Sequence, residues 1–246
     1  MTSQPRKNFP MIPSADITAI ILAGGLGTRL REVVCDRPKV LATVNERPFL
    51  QYLLDQLLEN GIRQAVLGTG YMGEQVESAF GNQYRTLQLS YSREPRPLGT
   101  AGALRHALPV LGTEELLVLN GDSFCDFDYQ GFRAFHRKKG ASMSLCLARV
   151  PDVARYGAVQ VDQQGRITDF VEKGALAGAG SINAGIYLLK RAVIESVPAG
   201  GAVSLEKEVI PELIGAGLFG FRTRGRFIDI GVPEDYKAAQ EFFARP

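Results

Sequence analysis

The feature that most restricts the fold is an apolar, β-branched run at residues 18–23, TAIILA, that stops abruptly at Gly24-Gly25. A short run without polar alternation suits a strand buried on both faces, as in parallel sheets covered by helices. The pattern repeats downstream. FLQYLLDQLLENG, from Phe49, places Leu50, Leu53, Leu54, Leu57 and Leu58 on one helical face, with Gly61 as a stop. Strand patterns follow near residues 65–70, 87–92 and 116–120, interleaved with helical patterns near 74–80 and 101–108. This rhythm predicts an α/β, Rossmann-like three-layer fold: a mixed, mostly parallel sheet with helices on both faces and ligands at the carboxyl ends of the strands.

Beyond residue 142 the texture turns β-rich. SMSLCLARV reads as a strand, AVQVDQQGRITDFVEK as a hairpin about its central Gln-Gly, and INAGIYLLK as a further strand. A helix near residues 205–215, two short strands around 220–230 and a last helix from Pro233 close the chain. Residues 1–15 hold three prolines and no apolar core segment, so they read as a loose tail, neither signal peptide nor anchor. The expected organisation is that tail followed by one domain, 16–246, whose α/β half spans about 16–122 and whose β-rich half spans about 123–246. No internal repeat is present, and no six-residue periodicity marks a β-helix.

Composition narrows the partners. A formal net charge of +2 is too small to argue for nucleic acid or an acidic membrane surface. With 45% hydrophobic and 22% charged residues, the chain has the composition of a globular protein. Cys35, Cys125 and Cys146 are too scattered for a disulfide framework or a metal-ligand set, and a reducing cytoplasm is the expected setting. The expected partners are small molecules.

Functional residues should follow the strand ends. In LAGGLGTRL, residues 22–30, Gly24, Gly25 and Gly27 let backbone amides approach an anion, and Thr28 and Arg29 add side-chain donors. The segment reads either as a phosphate cradle or as a tight turn. It lacks the third small residue of a dinucleotide fingerprint and the Gly-Lys-Ser/Thr ending of a P-loop. Lys39, behind Pro38, offers a second cation to the same phosphates, although any one such charge taken alone is more readily a solvated one. Asp122, in Asn120-Gly121-Asp122, and Asp229, in FIDIG, each end an apolar strand. One or two such carboxylates suffice for Mg2+, and either could instead cap a turn. Tyr156-Gly157, Glu172-Lys173 and Asn183 supply groups for hydroxyls and phosphate, with a convergence that spacing alone does not establish. Asp126 and Asp128 read as ordinary loop acids, and His106 and His136, in predicted helices, as surface residues without a catalytic part.

Taken in order, LAGGLGTRL, PK, PLGTAGAL, NGD, YG, EK, NAG and DIG resemble the sugar-1-phosphate nucleotidyltransferases, over about residues 17–243. The PLGTAGAL segment resembles the guanylyl-transferring and uridylyl-transferring branches, and FIDIGVPEDYKAAQ resembles the guanylyltransferases that act on D-glycero-D-manno-heptose 1-phosphate. Two positions depart: no second proline follows Lys39, and Arg96 stands where mannose-1-phosphate enzymes carry a carboxylate. The resemblance implies a nucleotide-diphospho-sugar transferase type of fold, with a nucleotide-binding first half and a sugar-phosphate-binding second half. It implies in-line attack of a sugar 1-phosphate on the α-phosphorus of a nucleoside triphosphate, without a covalent enzyme intermediate. Arg29 and the amides of Gly25, Gly27 and Thr28 would hold the triphosphate, and Lys39 would stabilise charge at the reacting phosphates. Asp122 and Asp229 would hold Mg2+. Ala23, Gly24, Glu94, Gly99, Thr100 and Asn120 would surround the nucleotide, and Tyr156, Gly157, Glu172, Lys173 and Asn183 the sugar phosphate. A carboxylate at Glu94 suits the N1-H and 2-amino donors of guanine, which favours GTP. The alternatives are a uridylyltransferase acting on an amino-sugar or glucose 1-phosphate, and a silent relative that binds a nucleotide-sugar and regulates a partner. A homodimer is the oligomeric expectation to test.

Overall fold

The computed structural model describes residues 17–30, 32–171 and 174–244, so the tail expected at 1–15 lies outside the described residues. In chain order the elements are β1 Thr18–Leu22, β2 Thr43–Val44, β3 Arg47–Pro48, α1 Phe49–Glu59, β4 Gln64–Thr69, α2 Gly73–Phe80, β5 Gln83–Tyr84, β6 Leu87–Arg93 and α3 Gly99–Ala107. There follow β7 Glu115–Asn120, β8 Ser123–Cys125, α4 Tyr129–Lys139, β9 Met143–Val150, β10 Ala158–Val161, β11 Ile167–Val171 and β12 Gly180–Lys190. The chain ends with α5 Arg191–Glu195, α6 Ile210–Glu212, β13 Leu218–Arg222, β14 Phe227–Asp229 and α7 Pro233–Ala244.

Eight strands form one sheet in the order β13-β9-β12-β7-β1-β4-β6-β5. The pairs β1·β4, β1·β7, β4·β6 and β13·β9 are parallel, whereas β12 runs against both its neighbours and β5 against β6. The expected mixed, mostly parallel sheet is therefore present. Period-two alternation divides each central strand between two cores: Ala19 and Ile21, Leu117 and Leu119, and Ile186 and Leu188 face one side. Ile20, Leu116, Val118, Tyr187 and Leu189 face the other. Helices α1, α4 and α7 cover the first face through Leu53, Phe132 and Ala239, and α3 and α5 cover the second through Leu104 and Ile194.

Helix α1 forms where its leucines dictate. Phe49, Leu50, Leu53, Leu54 and Leu57 are all buried, each such side chain contributing about 1.5–3 kcal/mol relative to exposure. Gly61, at φ +79, turns the chain out, and the Ile62 N–H closes the helix on Leu57 O.

The chain runs outward from β1 to β4 and β6, then crosses back to β7 on the other flank of β1. The carboxyl ends of β1 and β7 consequently flank the point where strand order reverses, which is where open α/β sheets bind ligands. The local sequence differs from expectation in several places. The helix expected near 205–215 is a π-turn, Leu205–Val209, running into α6. The two short strands near 220–230 join different sheets: β13 edges the main sheet, and β14 pairs antiparallel with β8. His136 is buried, 2% exposed, rather than a surface residue, because it lies on the face of α4 that also buries Phe132.

Candidate active site

The β8·β14 ribbon assembles the acidic centre. Its register sets Asp229 opposite Ser123, the residue after Asp122. The Ser123 hydroxyl lies 3.3 Å from Asp122 Oδ1 and 3.3 Å from Asp229 Oδ2, bridging two carboxylates from separate strand ends. Lys39 reaches the same centre from a turn opened by extended Pro38, and its Nζ donates to Asp122 Oδ2 at 2.6 Å. Burial works against a charge on Asp122, but the attraction and hydrogen bond of Lys39 outweigh it and hold that carboxyl below its ordinary range. Asp229 is pushed up to about 6 by burial and by the negative charge of Asp122, although it accepts the Gly231 N–H at 2.6 Å.

Two hard-oxygen ligands held together against their repulsion suit a hard divalent cation, which needs only one or two protein carboxylates when phosphates complete its shell. Among the described residues no group of three or more His, Cys, Asp or Glu side chains is arranged to hold a metal by protein ligands alone.

Next to this centre lies a cleft of about 270 Å³. Ala23, Gly24, Gly25 and Asn120 come to it from the ends of β1 and β7, Glu94 from the end of β6, and Gly99 and Thr100 from the start of α3; Lys39 and Asp122 form its inner wall. Backbone bonds fix this geometry, since the Ala23 N–H binds Gly68 O at 2.7 Å and the Gly121 N–H binds Leu22 O at 2.9 Å. A Cβ on Gly121 would stand 2.6 Å from Leu22 O, so that position needs glycine, and a Cβ on Gly24 would displace the Glu94 carboxylate from its place. Glu94 Oε2 accepts the Leu98 N–H at 2.9 Å, which leaves Oε1 beside Gly24; burial raises its pKa above the ordinary value. Gly27, at φ +59, folds its loop toward Lys39, while Thr28 and Arg29 are exposed and do not line this cleft.

Some roles are more local than the motifs suggested. The Thr100 hydroxyl donates to Glu206 Oε2 at 2.7 Å and accepts the Leu205 N–H at 2.7 Å, tying the start of α3 to the π-turn. Glu206 Oε1 accepts from the Tyr187 hydroxyl at 3.1 Å, which in turn accepts from Asn183 Nδ2 at 2.8 Å. A polar chain thus runs from the Thr100 side of the cleft to Asn183 on β12. Asn183 Oδ1 accepts the Gly185 N–H at 3.0 Å, and Asn120 Oδ1 is buried without a hydrogen-bond partner among the described residues. Tyr156 packs edge-on against Phe227, two residues before Asp229, with ring centroids 5.5 Å apart. Gly157 follows at φ +81, its N–H bound to Val153 O at 3.0 Å. Glu172 and Lys173 lie outside the described residues.

Sequence reasoning passed over Ser123, Tyr187 and Glu206. Ser123 was visible as the neighbour of Asp122, whereas Glu206 carries no local signal. Asp126 and Asp128 are loop acids as expected: Asp126 pairs with Arg226 at 3.0 Å, and Asp128 caps α4 through the Gly131 N–H at 2.9 Å.

A glycine loop and a lysine–carboxylate pair lie together at the switch point of the mixed sheet, an arrangement suited to an anion and a cation. The chain belongs to the nucleotidyl transferase family, whose model matches residues 18–245. More particularly, it is similar to D-glycero-alpha-D-manno-heptose 1-phosphate guanylyltransferase of Aneurinibacillus thermoaerophilus, with 38% identity covering 91% of this chain and 96% of the relative. It is 36% identical to mannose-1-phosphate guanylyltransferase of Mycobacterium tuberculosis, covering 89% of this chain and 62% of that longer protein. The solved structure of HddC from Yersinia pseudotuberculosis superimposes with a TM-score of 0.82 and 34% identity, covering 92% of this chain and 99% of HddC. HddC is also known complexed with GMP-PN. The resemblance to sugar-1-phosphate nucleotidyltransferases read from the motifs is borne out, and no helix among the described residues is long and apolar enough to cross a membrane.

Proposed function

We propose that this protein transfers a guanylyl group from GTP to a manno-configured sugar 1-phosphate, D-glycero-D-manno-heptose 1-phosphate or mannose 1-phosphate, and releases pyrophosphate. The observation that carries this reading is the Lys39–Asp122 pair at 2.6 Å, joined to Asp229 through Ser123 and opening on the glycine-loop cleft. The names of the similar guanylyltransferases and the GMP-PN complex of HddC support the guanylyl and manno assignments.

A phosphate oxygen of the sugar 1-phosphate attacks the α-phosphorus of GTP in line, forming the new P–O bond as the bond to pyrophosphate breaks. Such a transfer gains its rate from positioning and charge neutralisation. Lys39 holds positive charge against the reacting phosphates, while the bare amides at Gly24, Gly25 and Gly27 and the exposed Arg29 guanidinium cradle the triphosphate and departing pyrophosphate. Ala23, Asn120, Gly99 and Thr100 wall the base and ribose, and Glu94 accepts from the guanine edge. Tyr156, Gly157 and Asn183, with Glu172 and Lys173, orient the sugar phosphate. Asp122 and Asp229 would hold Mg2+, which when bound neutralises phosphate charge. The setting assigned to the enzyme is the cytoplasm, and its assigned assembly is a homodimer.

The test is Mg2+-dependent pyrophosphate release over a grid of GTP, UTP, CTP, dTTP and ATP against heptose, mannose, glucose and N-acetylated amino-sugar 1-phosphates. Activity confined to GTP with a manno-configured sugar is the expected result. Activity confined to UTP with an amino sugar or glucose overturns the guanylyl assignment, and nucleotide-sugar binding without turnover marks a silent regulator.

A further inference from the structure

Behind the segment that walls the candidate active cleft lies a second cavity, of about 560 Å³. It opens between α3, α5 and the chain at residues 199–200, with Arg96, Arg105, His106 and Arg191 on its walls and a single acid, Glu195. These charges are not balanced. Arg191 pairs with Glu195 at 2.9 Å, and each of its terminal nitrogens donates to a carbonyl, of Leu111 and of Leu108. Arg96 instead donates through Nη2 to Gly200 O at 2.7 Å, and Arg105 through Nε to Val197 O at 3.1 Å. Among the described residues neither has a carboxylate partner or any further hydrogen bond.

Two guanidiniums are thus oriented by neutral carbonyls while most of their N–H donors remain available, which is the preparation that phosphate binding needs. His106, held 3.0 Å from Arg93 O, adds a polar ring beside them. Between the cations the lining is apolar, from Pro95, Leu98, Leu108 and Pro109, and so offers a surface for a flat ring. The floor is rigid: a Cβ on Gly102 would stand 2.8 Å from Gly201 O, and Val203 O accepts from both Ala101 and Gly102.

We propose that this cavity is a second binding site for a nucleoside phosphate, separate from the catalytic cleft, with the phosphate between Arg96 and Arg105 and the base against Leu108 and Pro109. The expected total rests on the guanylyl reading of the catalytic cleft, whereas the difference between the wild type and the Arg105 variants belongs to the cavity alone. Its ligand is either a free nucleotide or the nucleotide end of a nucleotide-sugar.

Equilibrium dialysis of the full chain against labelled GDP tests this. The wild-type protein should bind two GDP per chain, and Arg105→Ala and Arg105→Gln one, with unchanged pyrophosphate release in both variants. The same GDP stoichiometry in the wild type and in both variants overturns the proposal, whereas one GDP in the wild type and none in the variants upholds the cavity and overturns the guanylyl reading of the cleft. Circular dichroism and the unchanged pyrophosphate release show that the variants are folded, and Arg96→Gln, at the other cation, provides a second variant with the same expected loss. Repeating the dialysis with GDP-mannose separates the sources: two molecules per chain admit a nucleotide-sugar to the cavity, and one restricts it to the free nucleotide.

Discussion

Lys39 and Asp122 are 83 positions apart in the chain and 2.6 Å apart in space, and the cation is the largest compensation for a carboxyl that burial disfavours. Replacing Lys39 by Ala should lower turnover by ~100-fold or more, since it removes positive charge where the phosphates react. A near-normal rate in folded protein, checked by circular dichroism, would take Lys39 out of the reaction. Glu94 raises a different residue-level question. Its Oε1 stands beside Gly24 while Oε2 is tied to the Leu98 N–H. Glu94→Gln exchanges an acceptor for a donor on the guanine edge and should cut the GTP-over-UTP preference in kcat/KM by roughly tenfold or more. An unchanged preference would mean that backbone groups choose the base.

At the scale of elements, α4 shows how a strongly polar helix is held. Asp128 caps its start, Gly140 ends it at φ +59, and its inner face buries Tyr129, Phe132, Arg133 and His136. Arg133 and Arg137 both pair with Glu115 of β7, at 2.6 and 3.0 Å. His136 Nδ1 lies 2.9 Å from the Ser144 hydroxyl of β9, and burial depresses the ring to about 4 from its ordinary 6.5. A ring that is harder to protonate in the folded state stabilises the protein above pH ~6.5 and loses that contribution as pH falls toward 4, a difference of about 3 kcal/mol. Denaturant titrations should therefore show His136→Gln losing less stability than wild type between pH 6.5 and 4. Parallel curves would show that the ring does not titrate with unfolding.

At the scale of the molecule, β7 from the first half pairs with β12 from the second, so one sheet runs through both. That continuity predicts a single calorimetric unfolding transition rather than two. The proposed metal position rests on two carboxylates at strand ends and not on a structural cage, so EDTA should abolish pyrophosphate release, with recovery on adding Mg2+, and leave the transition temperature unchanged. A large fall in that temperature would make the metal part of the fold. Much of this architecture was legible in the sequence. The TAIILA strand, its glycine loop, the leucine face of α1 and the Gln-Gly hairpin are local patterns, and local backbone and side-chain preferences decide them. The same patterns placed Lys39, Asp122 and Asp229 at turn and strand ends. They did not disclose that Ser123 joins the two carboxylates, that Glu206 takes the Thr100 hydroxyl, or that His136 is buried. Each of those facts depends on a contact between elements: β8 pairing with β14, α3 packing on the π-turn, and α4 rotating one face onto the sheet. Residue types and spacing determined which groups were available and at which strand ends; only the tertiary register decided which of them meet, because pairing energies are summed over whole elements and no single position carries them.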